Sequence, residues 1–330
     1  MIDEKTILPR YFDILEKNKT VQYLQSKYTP VSFDIAESTE KLWKKHDTAL
    51  KNLKTTNVKP PQTLLDLKIE LANRMFQQCI FCERRCGIDR RNTSGDCRVK
   101  DTRIASEFLH HGEEHVLVPS YTTFFSGCTF HCVFCQNWDI SQQICGLTVD
   151  PNTLSTIITT RKKEGAKNVN WVGGDPTSNL FYILKVLKEC KENIPQIWNS
   201  NMYCSEETMK LLNGVIDLYL TDFKYGNNSC AKRLSKVGNY TAIIKRNHKI
   251  SSNQGEVIIR HLVMPNHRTC CSEPILKWIS RNLPNIAVNV MPQYRPEYHA
   301  HEFEDIARPL SREEYLKVKT FAEEQNIYVL

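Results

Sequence analysis

The run Phe124-Phe125-Ser126-Gly127-Cys128-Thr129-Phe130-His131-Cys132-Val133-Phe134-Cys135 sets three cysteines at C-x3-C-x2-C spacing, directly after a β-branched and aromatic stretch from Tyr121 to Ser126. Three thiolates this close can hold three irons of a cubane cluster and leave the fourth iron open, whereas structural iron-sulfur sites usually close with four cysteines. Spacing alone leaves a second reading standing, half of a zinc site completed by Cys145. Context separates them. Gly127 ends the predicted strand, so the triplet occupies a loop at a strand's C-terminal end, where βα barrels build their active sites.

After the triplet, strand and helix patterns alternate. Strands are predicted at Asn168 to Val172, Gln196 to Asn199, Val215 to Leu220, Glu256 to Val263 and Ala287 to Met291, with helices near 151–164, 178–192, 205–213, 272–282 and 311–324. With the strand before Cys128 this makes six, and a final short strand is predicted over Ile327 to Leu330. Such alternation implies an α/β fold with a parallel sheet and crossover helices.

The chain divides into a helical N-terminal extension over 1–72, a cysteine-rich segment over 73–120 and the alternating segment over 121–330. In the extension Leu15, Val21, Leu24, Leu42, Ala49 and Leu53 are spaced for amphipathic helices, and packing on the barrel exterior is expected. Thr55 to Pro61 reads as a linker, and a helix is predicted from Thr63 to Gln77.

The 330 residues are 41% apolar and 25% charged, ordinary for a globular protein. No apolar run reaches the length of a membrane span, and Met1-Ile2-Asp3-Glu4-Lys5 does not read as a signal peptide, so a cytoplasmic protein without membrane partners is expected. Thirteen cysteines, an odd number clustered at ligand spacing, favour reduced thiols and metal over disulfides. The formal charge of +7 permits an acidic partner without arguing for nucleic acid.

A second cluster, Cys79, Cys82, Cys86 and Cys97, supplies four ligands, a closed count that suits either tetrahedral zinc or an auxiliary iron-sulfur cluster. Arg84, Arg85, Arg90, Arg91, Arg98, Lys100 and Arg103 surround it. They read as an offset to the negative charge of a thiolate-bound metal, with a basic face for nucleic acid as the alternative. This knot is expected to be independent of the triplet. Cys145, Cys190, Cys204, Cys230, Cys270 and Cys271 read as free thiols.

The segment Cys79-Ile80-Phe81-Cys82-Glu83-Arg84-Arg85-Cys86-Gly87-Ile88-Asp89-Arg90, then Ile104-Ala105-Ser106, Gly112-Glu113-Glu114, Phe125-Ser126-Gly127-Cys128 and Gln136-Asn137-Trp138-Asp139-Ile140-Ser141-Gln142, resembles radical S-adenosylmethionine (SAM) proteins related to pyruvate formate-lyase activating enzyme. The likeness covers roughly residues 75–297. It implies a partial (βα)6 barrel and a 4Fe-4S cluster on Cys128, Cys132 and Cys135 whose open iron chelates S-adenosyl-L-methionine. An electron from a ferredoxin- or flavodoxin-type donor then yields a 5'-deoxyadenosyl radical.

By the same resemblance Phe134 packs beside the adenine, and the turn Gly173-Gly174-Asp175, with Asp175 in place of Glu, binds the ammonium of the cofactor's methionine. Asn199, Asp222 and Lys224 line its ribose and carboxylate pocket, with Arg260 and His261 nearby. Gln293, Tyr294, Arg295, His299 and His301 are candidates for substrate contact. No catalytic base is implied, since the cofactor radical abstracts the hydrogen.

The implied substrate is macromolecular, such as the glycine of a glycyl radical enzyme. Radical modification of RNA, a peptide or a small molecule is the second reading, and a non-catalytic iron-sulfur or zinc protein for electron transfer or scaffolding the third. The strand-end set Gly173, Asp175, Asp222 and Lys224 separates them, because an electron carrier needs none of it. Activating enzymes lack the N-terminal extension and the four-cysteine knot, so the chain departs from them where a partner would be recognised.

Overall fold

The short apolar runs of the sequence become one eight-stranded sheet whose strands follow in chain order, β1 to β8. The structure is a computed structural model that describes residues 4–53 and 60–330, so of the predicted linker only Pro60 and Pro61 fall within it. Five helices lead in: α1 (Glu4–Ile7), α2 (Pro9–Leu15), α3 (Gln22–Tyr28), α4 (Thr39–Lys51) and α5 (Leu64–Gln77). Next come β1 (Ile104–His110), β2 (Ser120–Phe125) and α6 (Trp138–Ser141). The alternating part runs α7 (Pro151–Lys163), β3 (Asn168–Gly173), α8 (Leu180–Glu189), β4 (Gln196–Ser200), α9 (Glu206–Leu212), β5 (Leu218–Asp222), α10 (Asn228–Ser235), α11 (Tyr240–Ser252) and β6 (Glu256–Leu262). It ends with α12 (Glu273–Asn282), β7 (Ala287–Met291), α13 (Arg312–Glu324) and β8 (Tyr328–Val329).

All six predicted strands are present and pair in parallel, and β8 adds in parallel at the far edge. Two features differ from the prediction. β1 pairs antiparallel with β2, and α10 and α11 fill the crossover between β5 and β6. The inward face of α11 is not continuously apolar, since it carries Asn247, His248 and Ser251 along with Ile243 and Ile244.

Side chains alternate faces along each strand. Inward positions on the N-terminal halves of the strands are apolar, and Ile197, Leu218, Leu220, Ile258 and Ala287 pack there with Leu8, Tyr11, Val116 and Leu117. Toward the C-terminal ends the same faces turn polar. Asp222 pairs in register with Arg260, and Arg260 with Asn289.

Helix α2 therefore does not lie on the barrel exterior as expected. Residues of α2 enter the inner cluster: Asn168 Nδ2 donates to the Tyr11 hydroxyl at 2.9 Å, and Glu256 accepts the backbone N–H groups of Arg10 at 2.6 Å and Tyr11 at 2.8 Å. Those are orphan donors of a helix's first turn, and a carboxylate satisfies them. The later part of the extension does pack outside. A capping box of Thr63 and Asp66 starts α5, whose buried Lys68 donates to the carbonyls of Leu211 at 3.1 Å and Asn213 at 2.7 Å at the end of α9.

Candidate functional site

Cys128, Cys132 and Cys135 lie in the loop between β2 and α6, and all three line a cleft of about 230 Å³ at the C-terminal ends of the strands. Each sulfur has a donor beside it. The Phe130 N–H donates to Cys128 Sγ at 3.3 Å, Ser235 Oγ sits 2.9 Å from Cys132 Sγ, and Ser141 Oγ sits 3.1 Å from Cys135 Sγ. Burial pushes all three thiols up, Cys132 to about 12, so as isolated groups they hold their protons and only a bound cation makes them thiolates. Cys145 is exposed, takes its contacts from Ser126, and does not line the cleft.

The opposite wall is built from strand ends: Gly173 and Gly174 after β3, Asn199 on β4, Asp222 on β5 with Lys224 just beyond, and Arg260 on β6. Lys224 Nζ donates to the Asp222 carboxylate. Burial works against the Lys224 charge, but Asp222 outweighs it and holds its pKa above the ordinary lysine value. Asn199 Nδ2 is buried without a hydrogen-bond partner, a donor free for a ligand on this wall. Phe134 also lines the cleft and packs on Tyr225 and Tyr294. The donor-bearing sulfurs, the unpartnered amide and the charged pair fit a thiolate-bound cluster with a zwitterionic ligand beside it.

Two predicted cofactor contacts lie elsewhere. Asp175 is 1% exposed and does not line the cleft. Its carboxylate accepts from the Thr177 N–H at 2.9 Å, Ser200 Oγ at 2.9 Å and the Asn201 N–H at 3.0 Å, tying the end of β3 to that of β4. His261 follows Arg260 on β6 and so takes the other face. Its Nδ1 contacts the Phe223 carbonyl at 2.8 Å and its Nε2 Ser272 Oγ at 2.8 Å, while burial holds its pKa down at about 4. Gly173 and Gly174 line the cleft, and each also permits a close backbone approach. A β-carbon at Gly173 would lie 2.1 Å from the Phe125 nitrogen, and one at Gly174 would lie 2.1 Å from the Gly127 carbonyl oxygen. The approach at Gly173 is to the end of β2 and the one at Gly174 is to the triplet loop.

Sequence reasoning missed the residues that hold Arg260. Glu113 and Glu114, in the connection from β1 to β2, both pair with its guanidinium, Glu114 through Nε at 2.7 Å and Nη2 at 2.7 Å. Asn289 and Asn170 donate to the two carboxylates at 2.8 Å and 3.1 Å. Burial works against the Arg260 charge, and Glu114 and Glu113 more than offset it. The available signal was an adjacent pair of carboxylates in a short connection between two strands.

The substrate-contact candidates lie over the triplet loop and not on the cleft wall. The Gln293 carbonyl accepts from Gln136 Nε2 at 2.8 Å, Trp138 stacks on Tyr298, and the His299 N–H donates to the Val133 carbonyl at 2.8 Å. Tyr294 donates to the Ile306 carbonyl at 2.6 Å, and Arg295 and His301 are exposed.

The knot packs directly against the triplet loop. Cys79, Cys82 and Cys97 are buried and Cys86 is partly so. Its arginines are tied to the protein: Arg84 Nε donates to the Thr129 carbonyl at 2.7 Å, Arg90 to the carbonyls of Val99 at 2.9 Å and Ser178 at 2.6 Å, and Arg98 to that of Gln142. Arg85 forms a two-bond pair with Glu207, at 3.1 Å and 2.9 Å. His131, inside the triplet, contacts Asp96 beside Cys97 at 2.7 Å. The expected independence of the two cysteine groups thus has a physical obstacle, their shared packing.

No described helix is long and apolar enough to cross a membrane. Across nearly its whole length the chain is 49% identical to the uncharacterized protein MJ0674 of Methanocaldococcus jannaschii, over 335 aligned residues that take in 97% of this chain and 98% of the relative. Among solved structures it is similar to methylornithine synthase (PylB), at 14% identity and a TM-score of 0.48, covering 97% of this chain and 77% of that one. It is also similar to Streptococcus suis SuiB bound to S-adenosylmethionine, at 14% identity and a TM-score of 0.45, over 62% of this chain and 47% of SuiB, so that it spans about half of that protein. The sequence profile of the Radical SAM superfamily matches residues 122–279, from β2 through most of α12. Residues 122–279 therefore carry a radical SAM domain, and over its whole length the chain belongs to one family with MJ0674.

Proposed function

We propose that this enzyme cleaves S-adenosyl-L-methionine reductively in the cleft above β2 to β6 and abstracts a hydrogen atom from a macromolecular substrate. The observation that carries the reading is that Cys128, Cys132, Cys135, Asn199, Asp222 and Lys224 line one cleft. The three thiolates would hold a 4Fe-4S cluster, which with bound S-adenosyl-L-methionine supplies a 5'-deoxyadenosyl radical. Lys224, fixed by Asp222, presents a cation to a ligand carboxylate, and Asn199 Nδ2 offers a neutral donor beside it. Phe134, braced by Tyr225 and Tyr294, gives an apolar face for a nucleobase and excludes water. Cys79, Cys82, Cys86 and Cys97 would hold a second metal, zinc or an auxiliary cluster, beneath the triplet loop.

The substrate we favour is a protein, the backbone glycine of a glycyl radical enzyme, a choice that rests on the sequence resemblance. Internal contacts of Arg84, Arg85, Arg90 and Arg98 weigh against a basic nucleic-acid face at the knot. A low-potential ferredoxin- or flavodoxin-type protein would deliver the electron. The test is to mix the reduced, cluster-loaded enzyme and S-adenosyl-L-methionine with a glycyl radical enzyme from the same cell. A carbon-centred radical signal on the partner, with its α-deuterium carried into 5'-deoxyadenosine, supports the reading. Deuterium transfer from another molecule and none from the glycine would reassign the substrate.

A further inference from the structure

Between β6 and α12 the chain makes one turn of π-helix, Arg268–Ser272, a geometry found mostly as single turns at functional positions. The His267 carbonyl accepts from the N–H groups of both Cys271 at 2.9 Å and Ser272 at 3.2 Å, which gathers His267, Cys270 and Cys271 into one turn. Cys230, from the first turn of α10, joins them. One ligand atom from each of Cys230, His267, Cys270 and Cys271 lies within 4.8 Å of all the others. In sequence Cys230, Cys270 and Cys271 read as free thiols, and the fold brings Cys230 to the other two. The spacing His267-x2-Cys270-Cys271 was the signal available.

We infer that Cys230, His267, Cys270 and Cys271 form a closed zinc site with three thiolates and one imidazole. The distances suit a single tetrahedral ion. Zinc–sulfur bonds of about 2.3 Å and zinc–nitrogen bonds of about 2.0–2.1 Å require sulfur–sulfur edges near ~3.8 Å and nitrogen–sulfur edges near ~3.5 Å. Cys270 Sγ is 3.8 Å from Cys271 Sγ, and His267 Nδ1 is 3.4 Å from Cys270 Sγ and 3.5 Å from Cys271 Sγ. Three sulfurs and one nitrogen at a closed tetrahedral count select zinc over the harder, oxygen-preferring cations. A disulfide between Cys270 and Cys271 is disfavoured, since consecutive α-carbons about 3.8 Å apart fall below the usual span.

The surroundings are those of a metal-binding histidine. His267 Nε2 contacts Asp305 Oδ2 at 2.9 Å, and Arg233 pairs with the same carboxylate. The carboxylate holds the proton on Nε2 and leaves the Nδ1 lone pair facing the thiols, the arrangement that orients metal-bound imidazoles. Asn227 Nδ2 donates to Cys230 Sγ at 3.3 Å and to the Cys270 carbonyl at 2.9 Å, joining α10 to the π-turn. His267 and Cys271 are buried, at 3% and 0% exposure.

The site also has a mechanical consequence. It anchors the first turn of α10, whose last residues receive the triplet loop: the Val133 N–H donates to the Leu234 carbonyl at 2.9 Å, and the His131 N–H to that of Ser235 at 3.1 Å. Zinc therefore staples the helix that carries the cluster loop to the π-turn and, through Asp305, to the C-terminal segment. The binding inference itself does not depend on the reaction proposed above.

The test uses the full-length chain, produced without zinc, loaded with iron and sulfide, and then given two equivalents of zinc, enough for this site and the knot together, or none. Alkylation by iodoacetamide is mapped by peptide, with the partly exposed Cys230 and Cys270 as reporters. Zinc should slow labelling of both at least tenfold, and the zinc-loaded chain should melt at a higher temperature. In a Cys230→Ser Cys270→Ser variant, bound zinc should fall by one equivalent. Equal labelling of Cys230 and Cys270 with and without zinc would overturn the assignment, as would a Cys230–Cys270 disulfide in the isolated chain. The labelling comparison decides the matter on the natural sequence even where the double variant does not fold.

Discussion

A β-carbon built on Gly127 would lie 2.7 Å from the carbonyl oxygen of Cys97 and 2.3 Å from Val99 Cγ2. Gly127 also holds φ at +82°, a left-handed conformation. The residue that opens the triplet loop is thus pressed onto the last cysteine of the knot. Gly127→Ala should cost roughly 2 kcal/mol or more in stability, from backbone strain and overlap together, and should lower iron bound at the triplet. Thermal melting and iron analysis check this. Full iron loading with an unchanged melting temperature would show that the two segments yield to each other freely.

The same contact changes what is expected of the knot. Cys82→Ala Cys86→Ala should lower the melting temperature and also reduce occupancy of the triplet cluster, read from its visible absorbance. Undiminished occupancy would restore the independence that the sequence suggested.

Asp222 and Lys224 should set cofactor affinity. Losing a charge-assisted contact to a bound ligand costs about 2–5 kcal/mol when its partner stays buried, so Asp222→Ala, which releases Lys224 from its position, should weaken S-adenosyl-L-methionine binding tenfold or more at unchanged iron content. Equilibrium titration gives the answer. Unchanged affinity would make the pair structural.

Asp175 should behave in the opposite way. Asp175→Ala leaves the donors of Thr177, Ser200 and Asn201 without their acceptor, and unsatisfied buried groups cost about 1–3 kcal/mol each. Chemical denaturation should show a loss of stability larger than that of Asp222→Ala, with a smaller loss of cofactor affinity in the folded fraction. A large affinity loss at wild-type stability would return Asp175 to the ligand.

Acid sensitivity should come partly from His248 and His261, whose pKa values burial holds at about 4 against an ordinary 6.5. Above pH 6.5 both are neutral in the folded and unfolded chain. As pH falls through 6.5 only the unfolded chain takes up these protons, so stability is full above 6.5 and lost progressively toward pH 4. Each contributes at most about 3 kcal/mol to the fall. His261→Gln, which keeps a donor and an acceptor for Phe223 and Ser272, should flatten the stability profile in that window. An unaltered slope would contradict it.

The strands were legible because short apolar runs bounded by turns are what a sheet covered on both faces requires, and β2 to β7 fall where those runs do. Helix α11 was not, because a surface with Asn247, His248 and Ser251 turned inward has no continuous apolar stripe, and α10 is only eight residues long with Ala231, Leu234 and Ser235 inward. Amphipathic spacing in the extension announced helices but not their docking site, and Tyr11 reached the barrel interior through contacts with Asn168 and Glu256 that lie far away in the chain. In the site, the triplet was readable from local spacing. The roles of Asp175 and His261 were not, since alternation along a strand and the partners of a turn depend on register.

The decisive measurement is 5'-deoxyadenosine released from S-adenosyl-L-methionine by the anaerobically reconstituted, dithionite-reduced chain, compared with Cys132→Ala. The natural chain should form it and the variant should not, while Cys145→Ala should match the natural chain. A natural chain with a fully loaded triplet cluster that forms no 5'-deoxyadenosine above background would contradict the assignment of this cleft to S-adenosyl-L-methionine cleavage.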